Sequence, residues 1–449
     1  MQRLIGRRVV RVTRSMKIGL AIVACAILGL WAAGWYAVRS PDRYLPEVIA
    51  YLHKRTGLQI EIQHATVRLL PLTVRLYGVA VKNPKPFPSG YFLQAPEVDA
   101  AIPWMPLLHG HVAIRSLVVE KPVIHLISDP DGLWNFQNPS GAKTQPTRLS
   151  MGTISSLQIK DGTLYGSGLI DPSDAPGPVV FTARDFSGGV RQLNLGALQH
   201  GAHQTSVGGS VAVKTAIFGR IHLREIHSEL QIEPASITFK NFRAKTYRGK
   251  ADGDFTFNFA SKQTRFDTDL RVSGVGIHYL LAEFETGPPK ITGMMEAEMK
   301  LDGVIQHSSN PLSGIHGTGR ITIRRGEFTS LNGNKEMAKM ARFRDPGTSS
   351  LPISAFSSFS GDVDLNRQRI LSRQINVNFY GIDVAGSGNV DELNSRLDYT
   401  GTATVLTKQG FFVSAFARIF KGAKSKHGRL VFPIRITGTL NNPKCSVVD

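Results

Sequence analysis

The sequence predicts a mainly β protein: an N-terminal transmembrane helix, then an elongated antiparallel β-sheet with a few short helices. Three observations predict it. Residues 18–38 carry no charge. From Leu58 onward, apolar residues recur at every second position in run after run, the period of a strand. The chain of 449 residues also spreads 44 Gly and 24 Pro along its length, which suits many turns between many short strands.

The anchor comes first. Ile18 to Val38 is 21 residues long, and at about 1.5 Å per residue it spans about 30 Å, the thickness of a bilayer core. Trp31, Trp35 and Tyr36 stand at its C-terminal end, where aromatic belts form. Arg3, Arg7, Arg8, Arg11, Arg14 and Lys17 precede it without an acid. By the positive-inside rule, the N-terminus stays in the cytoplasm and the body is translocated. A cleavable signal peptide is the weaker reading, because such cores are shorter and end in small residues. A lipoprotein signal at Cys25 is weaker still, since cleavage there would leave a very apolar N-terminus. Cys25 and Cys445 would lie at different depths or in different compartments, so no disulfide is expected.

A helix follows over Tyr44–Thr56. Leu45, Val48, Ile49 and Leu52 fall on one face and Gly57 stops it. It is expected to lie on the membrane or, the preferred reading, on the first strands. Strands then dominate. Phe255, Phe257 and Phe259 alternate with polar residues, as do Phe266, Leu270 and Val272, Ile321 and Ile323, and Ile375, Val377 and Phe379. Leu430, Phe432, Ile434 and Ile436 share one parity. Each run has one apolar and one polar face. Asp161-Gly162, Arg325-Gly326, Ser360-Gly361 and Tyr380-Gly381 read as turns. Ile277–Phe284, Lys335–Phe343 and Phe411–Phe420 read as helical interruptions. Pro139–Pro146 and Gly196–Ser210 read as linkers. These divide the chain into a basic tail (1–17), the anchor (18–38) and three β regions (39–140, 141–310 and 311–449).

So many one-sided strands need a cover, and too few amphipathic helices exist to supply it. Either two sheets pack together, or one long sheet curls with its apolar face inside and makes a trough. Periodicity does not choose between them.

Catalytic patterns are missing: no H-E-x-x-H, no G-x-S-x-G, no phosphate-cradling loop and no dinucleotide glycine fingerprint. His109 and His111 could share a strand face, but a solvated pair is the preferred reading. Asp129-Pro130-Asp131-Gly132 begins like a calcium loop yet lacks the later acidic ligands, so it reads as a turn. Trp134 reads as a core or rim residue. No metal, no cofactor and no enzymatic activity are expected. The net charge of +19 suits an anionic surface, and a translocated body argues against nucleic acid as its target.

Several segments together resemble the AsmA family of bacterial envelope proteins. They are LPEVIAYLHKRTGLQIEI (45–62), ATVRLLPLTVRLYGVAVKNP (65–84) and FLQAPEVDAAIPWMPLLHGHVAIRSLVVEKPVIHLI (92–127), then DPDGLWNFQNPS (129–140). The step at Met105-Pro106-Leu107-Leu108 and the Asp131-Gly132, Trp134-Asn135 turn belong to this order, and the ordered series after one transmembrane helix, not any single motif, carries the resemblance. GTGRITIRRGEF (317–328), SAFSSFSGDVDL (354–365), GIDVAGSGNVDEL (381–393) and FPIRITGTLNNPKCSV (432–447) are similar to its C-terminal region. The middle of the chain is similar in rhythm only. This chain is shorter than the larger members of the family.

The resemblance implies an inner-membrane protein with a periplasmic body, related to bridge-like lipid transfer proteins that carry lipid along a curled, taco-like β-groove. Under it, Phe255, Phe257, Phe259, Phe266, Leu270, Val272, Ile321, Ile323, Val377 and Phe379 become groove-lining candidates, although a packed sandwich core explains the same stripes. Phospholipid or another anionic lipid, the inner membrane, and an outer-membrane or periplasmic protein are the expected partners. The expected function is movement of phospholipid between the two membranes in support of outer-membrane integrity. A scaffold for outer-membrane protein assembly is the alternative. An envelope enzyme is a further rival, and it would need converging acids that the sequence does not announce.

Overall fold

In the computed structural model the described residues are 41–108, 113–129, 133–136, 154–168, 179–193, 206–233, 235–260, 263–284, 287–304, 314–331, 350–366, 369–391, 396–406, 424–426, 429–439 and 442–447, with 338, 344 and 346–348. Twenty-two strands among them form a single hydrogen-bonded sheet.

The N-terminal strands are β1 (Ile60–Glu61), β2 (His64–Leu69), β3 (Leu72–Lys82), β4 (Tyr91–Ala101), β5 (Ile114–Glu120), β6 (Val123–Ser128) and β7 (Ile154–Gly168). The middle holds β8 (Val179–Leu193), β9 (Val207–Phe218), β10 (Ile221–Glu233), β11 (Ser236–Thr246), β12 (Gly249–Asn258), β13 (Arg265–Gly276) and β14 (Ile291–Val304). The C-terminal strands are β15 (Ile315–Phe328), β16 (Ala355–Asn366), β17 (Arg369–Asn378), β18 (Ile382–Asp391), β19 (Arg396–Leu406), β20 (Lys424–Lys426), β21 (Arg429–Thr439) and β22 (Asn442–Val447). Three α-helices are described: α1 (Leu45–Thr56), α2 (Trp104–Leu108) and α3 (Ile277–Ala282).

From β7 to β19 each strand pairs antiparallel with the next, and β21 closes the series against β19. The expectation of a wholly antiparallel sheet needs one correction. β5 and β6 both run parallel to β7 in one register, Ile114↔Ile154 through Ser128↔Gly168. They act as a single strand interrupted at Lys121, whose φ is +47°. The sheet passes through both boundaries that the sequence suggested: β6 joins β7, and β14 joins β15.

The sheet is curled, and one contact measures the curl. The indole of Trp134, bridged to Ser128 at the end of β6, donates to Thr264 Oγ1 at 2.8 Å, and Phe136 meets Phe259 edge-on at 5.4 Å. Along the sheet, β6 and β12 are six strands apart, about 29 Å in a flat sheet. Contact therefore requires the intervening strands to wrap round. Asn135 locks this turn. Its amide donates to the His125 carbonyl and to Asn83, and its carbonyl accepts from the Ile127 amide. Trp134 is accordingly a buried structural residue. Asp129 also serves the turn, its carboxylate accepting the Leu133 amide at 2.7 Å.

Bulges drive the wrapping. Asp161, Asp185, Glu225, Asn241 and Arg325 all adopt positive φ inside strands. Such residues bend a strand and raise its twist. Three expected turns are corrected here. Asp161-Gly162, Arg325-Gly326 and Ser360-Gly361 lie within β7, β15 and β16. At the first two, a single left-handed residue kinks the strand without reversing it. Tyr380-Gly381 is a turn, between β17 and β18.

The helix expected over 44–56 is α1, ended by Gly57 at φ +70°. α3 takes the place of the expected 277–284 helix, with Ile277 buried. The 196–210 linker is corrected at its end, because β9 begins at Val207, which is buried. The 139–146 linker, His109, His111, the 411–420 segment and the anchor at 18–38 lie outside the described residues, as does 335–343 apart from Ala338. No helix among the described residues is long and apolar enough to cross a membrane.

Candidate functional site

The alternating strands place their apolar residues on one face, and cross-strand register stacks these into rows. One row reads Ala251, Val272, Ala297, Ile321, Gly361, Ile375, Gly386, Gly401, Ile434 across β12 to β21. The next reads Gly253, Leu270, Met299, Gly319, Val363, and resumes at Gly388, Tyr399, Ile436. A third holds Phe255, Thr268, Leu301, Gly317, Leu365, Ile370, Val390, Leu397. A fourth holds Phe257, Phe266, Gly303 and Ile315. With β11 included, through Phe239 opposite Phe255, the face crosses ten strands, a path of about 43 Å.

Two aliphatic hydroxyls interrupt it, and both are satisfied by the sheet. Thr268 donates to the Asp254 carbonyl at 2.9 Å, and Ser372 donates to the Asp362 carbonyl. Burial pushes the Tyr399 phenol up to about 12, so it stays neutral at ordinary pH. The face carries no charged side chain in these rows.

Several rings on the sheet lie over a cross-strand glycine. Phe266 covers Gly303, Tyr399 covers Gly388, Phe186 covers Gly162 and Phe181 covers Gly166. A Cβ at Gly388 would come within 2.5 Å of the Tyr399 ring. Only glycine lets these rings lie against the backbone, which keeps the wall smooth and holds register.

The two ends of the strands differ. At one end Val275, Met295, Ile323, Phe356, Val377, Phe379, Ile382, Val405, Leu430 and Phe432 form a closed core. Ile277 of α3, Leu331 and the segment leading into Phe356 cover it. Arg344 ties that cover down, donating to the Pro352 carbonyl at 2.8 Å and stacking over Tyr380 at 5.2 Å. Toward the other end, Phe255, Phe257, Phe266, Leu270, Met299, Leu301, Leu365 and Leu397 are only half-buried.

Residues 12–161 match the family model described as the AsmA family. The N-terminal part of the chain is thus similar to the AsmA family. No curated protein matches it. The match stops at Asp161, one residue before the Gly162 that Phe186 covers. The apolar face is therefore built mainly by strands that continue the sheet beyond the matched region.

The ten sequence-selected lining residues fall into two sets. Ile323, Val377 and Phe379 lie in the closed core, and Val272 and Ile321 pack against it. Phe255, Phe257, Phe259, Phe266 and Leu270 sit half-buried on the open part. The rows also include Met299, Leu301, Leu365, Leu397 and Tyr399, which the sequence reading did not single out. The opposite face is polar. On it Arg243, Asp252, Arg271, Glu298, Arg320 and Asp362 stand in register across six strands with alternating sign. These six line a depression of about 720 Å³. Among the described residues no group of His, Cys, Asp or Glu is arranged to hold a metal.

Proposed function

We propose that this chain is a non-enzymatic lipid carrier, held in the inner membrane by residues 18–38 with its body in the periplasm. Acyl chains lie along the half-buried rows from Phe257 to Leu397, and phospholipid passes between the inner and outer membranes in support of outer-membrane integrity. The observation that carries this reading is a long apolar face, free of charged side chains in its rows and half-exposed at one end of its strands. Burying one CH₂ contributes about 0.8 kcal/mol, so one acyl chain contributes on the order of 10 kcal/mol before ordering costs. Apolar contact has no preferred direction, which lets a chain slide along the rows. The clean separation into one apolar and one charged face favours a carrier over a scaffold that binds proteins by polar contacts.

The test is site-specific photocrosslinking in cells, using the full chain with a photoreactive residue at Phe257 or Leu397, or on the charged face at Lys300. Lipid adducts at the first two positions and none at the third are expected, together with phospholipid in the purified protein by mass spectrometry. Equal labelling at all three, or protein adducts in place of lipid, would sink the carrier reading and leave the scaffold.

A further inference from the structure

The ladder of alternating charge across β11 to β16 does not continue onto β8, β9 and β10. Several arginines of the charged face between β13 and β21 bond acids: Arg271 bonds Glu298 at 3.1 Å, Arg324 bonds Glu296 at 3.2 Å and Arg435 bonds Asp398 at 3.1 Å. On β8 to β10 the register reads Arg184, Thr215, Arg224. A hydroxyl stands where the ladder of β11 to β16 places a carboxylate. The two arginine backbones are about 10 Å apart on one face, close enough for both guanidiniums to reach a single group above Thr215. Like charges so placed repel unless an anion lies between them.

They line a cleft of about 650 Å³ whose wall includes Tyr279 and Ala282 of α3. Arg248 reaches the cleft from the β11–β12 turn and stacks over Tyr279 of α3 at 4.6 Å. The one carboxylate in the lining, Glu283, lies 3.8 Å from His222 Nε2. Its main chain is held by Arg220, which donates to the Glu283 carbonyl at 3.2 Å. The Tyr247 hydroxyl is already engaged, accepting from the His222 amide and donating to the Arg220 carbonyl. Three guanidiniums thus face one carboxylate in a cleft whose remaining wall includes Ile217 and Leu223. The depression on the ladder differs, because its cations and anions alternate.

We propose that this cleft binds a phosphate group, with Arg184 and Arg224 as the clamp. Guanidinium matches phosphate in paired, charge-assisted hydrogen bonds. The apolar wall favours a phosphate borne on an amphipathic molecule, and the assignment to a lipid headgroup rests on the carrier reading above. Free phosphate shares the same chemistry.

The experiment uses the full chain in phosphatidylcholine nanodiscs and isothermal titration calorimetry. One arm adds dihexanoyl phosphatidic acid, the other inorganic phosphate. Both probes are expected to bind, the lipid phosphate more tightly, and the double variant Arg184→Gln/Arg224→Gln weakens each by roughly tenfold or more. Thr215→Glu supplies an internal carboxylate and is expected to abolish binding while circular dichroism stays unchanged. Arg271→Gln, on the ladder, leaves binding intact. Inorganic phosphate binding as tightly as the lipid keeps the clamp and overturns the headgroup assignment. Wild-type binding by the double variant or by Thr215→Glu, or no binding of either probe to the parent chain, overturns the proposal. Crosslinking at Phe257 reads the apolar face separately, so either idea can fail alone.

Discussion

The same strands run from a closed core at one end to a half-exposed apolar face at the other. β14 shows it within one run. Met295 is buried in one cluster with Ile323 and Phe356, while Met299 and Leu301, on the same face, are half-exposed. Alternation is equal in both halves, so it does not decide what becomes core. Cover decides it. α3, Leu331 and the chain leading into Phe356 lie over one end only. Among the described residues this one-sided sheet is thus a core where another segment lands on it and half-exposed elsewhere.

The sharpest way to break this comparison is to remove one large side chain from each end. Phe356 is fully buried, its ring 4.7 Å from Phe328 and 6.5 Å from both Phe359 and Phe379. Phe356→Ala is expected to cost about 3–5 kcal/mol, the range for a large aromatic lost from a packed site. Thermal unfolding followed by circular dichroism measures it. A loss no larger than that of Phe257→Ala would mean that the two ends are packed alike.

A pH experiment tests the middle of the face. The Tyr399 phenol is raised to about 12 by burial, against about 10 in an unfolded chain. Below pH 10 both states keep the proton and Tyr399 contributes no pH dependence. Between pH 10 and 12 the unfolded state loses its proton first, so stability falls as pH rises, by about 2 kcal/mol across the window. Tyr399→Phe should remove that part of the alkaline loss and nothing below pH 10. Identical alkaline melting of parent and variant would place Tyr399 in water.

At the open end the expected effects separate stability from binding. Phe257→Ala is expected to cost about 1 kcal/mol, since half-buried area is recovered only in part. Phe257→Asp is expected to cost little more in stability yet to strip co-purifying phospholipid, because it puts a charge into the apolar row. Lipid content unchanged in the Asp variant would argue that the open rows hold no acyl chain.

Much of the sheet was legible, and its failures have physical causes. The alternation of Phe255 and Phe257, and of Ile321 and Ile323, gave the correct faces because it is local. β11 escaped because Asn241, at φ +51°, inserts a residue and shifts the phase from Ile237 and Phe239 to Phe242 and Ala244. Asp161-Gly162 imitated a turn because both a turn and a bulge need a left-handed residue. The curl was open from periodicity and is fixed by Trp134 and Thr264, 130 positions apart. Glycine-under-ring pairs and charge rows were equally hidden, since each depends on register between strands. Arg184 and Arg224 are ordinary strand residues until the register puts Thr215 between them.

The charged face supplies the smallest effect and the most specific signature. Arg271 and Glu298 are both well exposed, at 63% and 71%, so Arg271→Gln should cost about 0.5 kcal/mol or less. The informative variant is the exchange Arg271→Glu/Glu298→Arg. An isolated pair tolerates such a swap, because attraction does not depend on which strand holds which sign. Here Arg271 also faces Asp252, and Glu298 also faces Arg320. The swap therefore keeps one favourable contact and creates two repulsive ones. It is expected to be less stable than either parent or Arg271→Gln, by a margin that shrinks as salt is raised. A neutral swap would reduce the ladder to separate pairs and remove the contrast by which Arg184 and Arg224 stand out.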